Sequence, residues 1–279
     1  MNTTLSCFYI LFQAFFDNYY HGPTFFDKIK LTLQHFKDDI KKYYSNSEIF
    51  NVFKQNKRIL LFLIKEEIMT VDEYVAKIIV TDELFTNKNY VQYFWPEIKL
   101  FENRKWFPKH ELDEYLKNEL PDDFDEMRNK RENESFICKL IRDDLVEDFI
   151  AYFNETFISP DSTIDQSIYK TNSFLLEKQI HSKEGITLIE YSAFFGSIQI
   201  FTFLKNVKAE LTPSLWLYAI HSNNAELIHL LEKLHIEIKT VEEEKLYKEC
   251  FIESIKCHHN EIANYFINNY LQQTLSFNA

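Results

Sequence analysis

Glycine is almost missing from this chain. Gly22, Gly185 and Gly196 are the whole complement in 279 residues, where ordinary usage near ~7% would supply roughly twenty. Phosphate-cradling loops, β-bulges and tight hairpin turns depend on glycine for positive φ and close backbone approach. Three scattered positions cannot compose GxGxxG, GxxxxGK[ST] or GxSxG, so dinucleotide-binding, P-loop and α/β-hydrolase chemistry are excluded together. Asn-Gly hairpin signals are missing too, and so is sustained alternation of apolar and polar residues, which leaves little basis for a sheet.

Basic charge is also in deficit. Lys and Arg number 31 against 43 Asp and Glu, a formal charge of −12. Half of that excess sits in residues 111–134, where ten acids face four bases. A chain of this sign repels a phosphate backbone unless it carries a local basic stripe. The two short candidates, Lys37/Lys41/Lys42 and Lys54/Lys57/Arg58, have the spacing of solvated helix faces. No nucleic-acid partner is expected. The apolar run from Leu5 to Phe16 is shorter than the ~20 residues of a membrane span and has no basic residue before Lys28, so it is expected to be a buried helix rather than a signal or anchor.

The four cysteines, Cys7, Cys138, Cys250 and Cys257, form no CxxC pair. Buried, reduced thiols and a cytoplasmic location are the expectation. The densest grouping of ligand types is Cys250 with Cys257-His258-His259. Adjacent helical residues point about 100° apart, so these side chains diverge and no metal site is expected there. No HExxH motif is present, and pairs such as Asp122-Asp123 are neighbours in a charged segment. No cofactor and no catalytic residues are assigned.

What the sequence has in abundance is helical periodicity. Phe25, Ile29, Leu33, Phe36, Ile40 and Tyr43 recur at three- and four-residue steps, and residues 48–65 repeat the pattern more densely. Thr70-Val71-Asp72-Glu73 predicts a capping box for a helix through Ile79. Pro96, Pro108 and Pro121 then punctuate a stretch rich in acids, with Trp106 inside it. Proline ends helices, so residues 96–133 read as a connector between a helical region, 1–95, and a repeat domain, 134–279.

Within that domain three segments align: Gly196-Ser-Ile-Gln-Ile-Phe-Thr-Phe-Leu204, Asn223-Asn-Ala-Glu-Leu-Ile-His-Leu-Leu231 and His258-His-Asn-Glu-Ile-Ala-Asn-Tyr-Phe266. Each carries Gln or Glu at its fourth place and apolar doublets after it. Each follows a pair that begins with a small residue, Ser192-Ala193, Ala219-Ile220 or Ser254-Ile255. Fainter copies lie at Leu145–Phe153 and Gln55–Leu63. The unit this predicts is helix–turn–helix, with Gly196, Asn223 and His258 at the turn because that place favours a residue tolerant of positive φ.

Thr187-Leu-Ile-Glu-Tyr-Ser-Ala-Phe-Phe-Gly196 resembles the ankyrin pattern T-P-L-H-x-A-A-x-x-G, matching at Thr187, Ile189, Ala193 and Gly196. Leu188 and Glu190 stand for its Pro and His, and Lys208 for its terminal glycine. IEYSAFFGSIQIF, ELTPSLWLYAIHSNNAE and ESIKCHHNEIANY are also similar to the degenerate ankyrin-like domain of unknown function expanded in protists. The resemblance implies an all-α helix–turn–helix repeat solenoid that acts as a protein-interaction module or scaffold, monomeric and non-catalytic. It implies that Tyr191, Phe194, Phe195, Tyr218, His221, Ser222 and Lys256 line a concave groove that takes a protein partner. The alternative expectation is an enzyme with its site in residues 1–133.

Overall fold

The computed structural model describes residues 23–54, 56–81, 88–109, 112, 120–130, 132–172, 174–176, 185–234 and 242–271. The apolar run Leu5–Phe16 and position 55 of the faint N-terminal copy lie outside these residues. The described residues are helical, with no strand and one isolated antiparallel bridge between Thr163 and Thr187. The chain divides into two compact units; the first holds residues 23–133 and 167–172 of those described, the second 134–166 and 174–271.

The first unit contains α1 (Pro23–His35), α2 (Lys37–Tyr43), α3 (Asn46–Phe53), α4 (Lys57–Lys65), α5 (Glu73–Thr81), α6 (Lys88–Tyr93), α7 (Trp95–Ile98) and α8 (Phe124–Lys130). Its core gathers Leu33, Phe50, Leu60, Leu63, Ala76, Phe94 and Ile98. Local capping sets the boundaries: Ser45 and Glu48 form a reciprocal box on α3, and Asn56 caps α4. At α5 the sequence expectation is corrected. Asp72 Oδ1 accepts from Val75 N at 2.9 Å, while Thr70 bonds Asn46 instead. Asp72 immediately precedes the first helical residue, Glu73, and so stands two residues nearer the orphan amides than Thr70. Residues 96–133, read from sequence as a connector, belong to this unit, and Ile98, Phe107, Leu112 and Phe124 are buried in it.

The second unit is a succession of helix pairs: α9 (Phe136–Arg142) with α10 (Val146–Glu155), α11 (Leu188–Phe195) with α12 (Ile198–Asn206), α13 (Leu215–Ser222) with α14 (Ala225–Lys233), and α15 (Glu242–Lys256) with α16 (Asn260–Phe266). The first helices of successive pairs lie along one another, α9 on α11, α11 on α13 and α13 on α15. Ser192, Ala219 and Ser254 are all fully buried, so the small residues sit where those helices approach. In each pair the turn is made by one left-handed residue: Asp144 (φ 48°), Gly196 (φ 70°), Asn223 (φ 51°) and His258 (φ 57°). The three turn positions aligned by sequence thus share a conformation. The faint copy starts one residue earlier than its alignment, at Asp144, whose carboxylate accepts from the amides of Gln199 and Ile200 in the next pair. At Gly196 a Cβ would also stand 3.0 Å from Ser222 Cβ, so that turn needs glycine for space as well as for φ.

After the last three turns the next residue reaches back to the preceding pair. Ser197 Oγ donates to the Ile141 carbonyl, Asn224 Nδ2 to that of Gly196 at 3.2 Å, and His259 Nδ1 to that of Ile220 at 2.8 Å. At the other end of the first helices, Glu190 accepts from Thr187 N in its own cap and from Ser214 Oγ of the following pair. A carboxylate therefore spans adjacent pairs from the place where the ankyrin pattern carries histidine.

Lys208 closes α12 in the left-handed region, φ 72°, with Ala209 N bonded to the Leu204 carbonyl in a Schellman-type cap. A side chain there is strained, so Lys208→Gly is expected to stabilise the unit by about 0.5–1 kcal/mol net of the added chain entropy. Thermal melting checks this; an unchanged or lower Tm would show that the cap carries no strain.

Candidate functional site

The seven residues assigned to a groove do not share a surface. Tyr191, Phe194, Tyr218 and His221 are buried at 0–2% exposure, which corrects the expectation that they meet a partner. The physical reason is Phe174, from a helical turn at residues 174–176. Its ring lies 4.1 Å from His221, 5.2 Å from Tyr218 and 6.0 Å from Phe194, centroid to centroid, and Leu175 beside it is fully buried. The chain fills its own inner face. Phe195, Ser222 and Lys256 stay partly exposed. Phe195 packs on Tyr191 and Phe194, and Ser222 Oγ donates to the Ala219 carbonyl at 2.7 Å. Replacing His221 is accordingly a core substitution and not the surface change that a groove position would permit.

His221 instead joins a cluster that spacing alone could not reveal. Its Nε2 lies 3.0 Å from Glu253 Oε1, at ion-pair distance but without hydrogen-bond alignment. Its Nδ1 lies 3.5 Å from Cys257 Sγ. The three residues are buried, and their ligand atoms fall within 4.8 Å of one another. The expectation of no metal-ligand set considered Cys250, Cys257, His258 and His259. It missed this group because His221 comes from the preceding pair, 36 residues upstream of Cys257. The i,i+4 spacing of Glu253 and Cys257 was the available signal.

Burial pushes the His221 imidazole below its ordinary range, against the pull of Glu253. Burial works to raise the Glu253 carboxyl, but His221 and Lys256 outweigh it and hold it below the usual value. Burial, with the Glu253 charge, drives the Cys257 thiol up. The order thiol, imidazole, carboxylate is that of a nucleophile with its base and orienting acid. At 3% exposure and with its thiol raised, Cys257 is held away from the thiolate form that attacks.

A second feature lies on the last pair. Cys138 and Ile141 on α9, Glu190 and Ala193 on α11, and Leu217 and Ile220 on α13 occupy equivalent places, six and three residues before the turn, and all are buried. Ile252 and Ile255 occupy those places on α15 and are 50% and 48% exposed. The face that is covered in the first three pairs is open in the fourth.

In the first unit a cleft of about 440 Å³ is lined by Lys30, Arg58, Lys65 and Arg128 with Asp27 and Glu66 among others. Its described lining contains no histidine, cysteine or serine. No described helix is long and apolar enough to cross a membrane. Compared with known proteins, the chain matches no family model, no curated protein and no solved structure.

Proposed function

We propose that this chain is a non-catalytic protein-interaction module or scaffold, an ankyrin-like solenoid whose docking surface is the open end of the stack. The observation that carries the reading is Ile252 and Ile255, apolar and half exposed at places buried in every earlier pair. Repeat arrays need a polar outer face on a terminal unit to remain solvated. An apolar one belongs to a binding surface. The occupant is a protein that presents an apolar helical face, because a helix pair is what covers the same face elsewhere in the stack. The inner groove, filled by Phe174 and Leu175, is not the binding surface in this reading. The buried free thiols Cys138, Cys250 and Cys257 suit a reducing, cytoplasmic setting.

Ile252→Lys combined with Ile255→Lys tests the proposal. Both side chains are half in water, so Tm is expected to hold within a few degrees. Crosslinking and quantitative mass spectrometry from cell extract should show captured protein falling at least about tenfold, the effect of ~1.4 kcal/mol. Sedimentation of the parent is expected to show a monomer. Undiminished capture by the double variant would sink the docking surface, and concentration-dependent self-association abolished by it would make the occupant a second copy.

A further inference from the structure

We infer that His221, Glu253 and Cys257 form a zinc site that fastens the last helix pair to the one before it. Three observations converge on it. The first is composition by place. Five residues before the turn the α11 and α13 pairs carry Tyr191 and Tyr218, and the last carries Glu253. One residue before it they carry Phe195 and Ser222, and the last carries Cys257. Two before it, the α11 and α13 pairs carry Phe194 and His221. The α9 pair carries Lys139, Arg142 and Asp143 at these places, so thiol, imidazole and carboxylate come together only where α13 meets α15.

The second observation is geometry. Zinc bonds thiolate sulfur at ~2.3 Å and imidazole nitrogen at ~2.0–2.1 Å, so two such ligands at a tetrahedral angle stand about 3.5 Å apart. Cys257 Sγ and His221 Nδ1 are 3.5 Å apart. The Glu253 carboxylate faces the other nitrogen of the same ring, Nε2, at 3.0 Å, and because one ligand atom from each of the three residues falls within 4.8 Å of the others, a turn of its side chain toward the Cys257 edge closes the set. Glu253 and Cys257 sit one turn apart on one helix face, and His221 is held in place by rings on Phe174 and Phe194. Water completes the fourth position.

The third is charge. A thiolate and a carboxylate together neutralise a divalent cation, so the filled site is neutral in a place where an uncompensated charge is costly. On binding, the Cys257 thiol gives up its proton to solvent and the sulfur bonds the metal; no electron is transferred. Soft thiolate with borderline imidazole selects zinc over magnesium or calcium.

The test uses the full chain and cobalt(II) as the spectroscopic substitute for zinc. The parent should bind stoichiometrically and develop a thiolate-to-cobalt charge-transfer band, which Cys257→Ser abolishes. Zinc should raise the parent's Tm. His221→Phe, which restores the aromatic residue of the preceding pair, should keep the fold and lose that rise. Should either variant fail to fold, X-ray absorption of the zinc-loaded parent decides: one sulfur neighbour with imidazole scattering is expected. A parent without the band, a band that survives Cys257→Ser, or zinc surrounded by oxygen and nitrogen alone would overturn the assignment. None of these readouts depends on partner capture.

Discussion

Ala219→Glu is expected to cost about 3 kcal/mol or more and to melt the second unit well below the parent. Ala219 has no exposure at all, and it occupies the small-residue place by which α13 lies against its neighbours, as Ser192 and Ser254 do on theirs. Glutamate there adds four heavy atoms to a closed contact and brings a carboxylate with no assigned cation. Protonation can relieve the charge but not the volume, so acid should recover only part of the loss. The pairs on either side are joined through bonds such as His259 to Ile220, immediately beside the substituted position, and these would shift as well. Trp216, on the same helix, gives a fluorescence reading of this unit. A variant that melts like the parent would mean that Ala219 does not lie between the helices.

Arg128→Ala is expected to destabilise the first unit by about 3–5 kcal/mol. The guanidinium is 2% exposed and all three of its nitrogens donate. Nη1 donates to both Glu97 carboxylate oxygens at 2.9 Å and to the Tyr93 carbonyl at 3.0 Å, while Nε and Nη2 donate to Asp125. The plane also lies 5.1 Å from the Phe124 ring centroid. Asp125 is exposed and loses little. Glu97 is half-enclosed, and burial already raises its carboxyl against the pull of Arg128. Without the cation burial pushes that carboxyl further up, which relieves part of the cost. Arg128→Lys should recover only part of it, because one ammonium cannot reach three acceptor groups in a plane. Denaturant unfolding followed at Trp95 and Trp106 measures the change; a shift below about 1 kcal/mol would contradict a central role for this side chain.

The sequence made the turns of the second unit legible because few residue types tolerate positive φ. Gly196, Asn223 and His258 could be aligned on that ground, while Asp144, a charged residue in a run of acids, gave no comparable sign. The small residues at 192, 219 and 254 were legible for a similar reason: helices that touch leave room for nothing larger. The inner face was not. Whether Tyr191, Phe194 and His221 meet water depends on Phe174, which no periodicity ties to the repeats and which arrives from before α11. The cap of α5 was misplaced because Thr70 and Asp72 both have capping chemistry, and only the path of the backbone chooses between them. The candidate metal cluster joins residues on two different helix pairs, so it existed in the sequence only as an i,i+4 Glu–Cys pair without its histidine.

The buried thiols give the stack a clock at each end. Cys138 lies on α9 in the first pair, and Cys250 and Cys257 belong to the last, with no more than 3% of any of them in water. A thiol reagent reaches a buried sulfur only while the surrounding segment is transiently open, so alkylation rates report local opening and not intrinsic reactivity. Among the described residues of the second unit, the first and last pairs each pack on one other pair, and the last holds Ile252 and Ile255 half in water. The pair that leaves apolar side chains in water is expected to fray first, with Cys250 and Cys257 alkylated before Cys138. Whatever covers Ile252 and Ile255 slows the clock at that end and leaves the other running at its own rate.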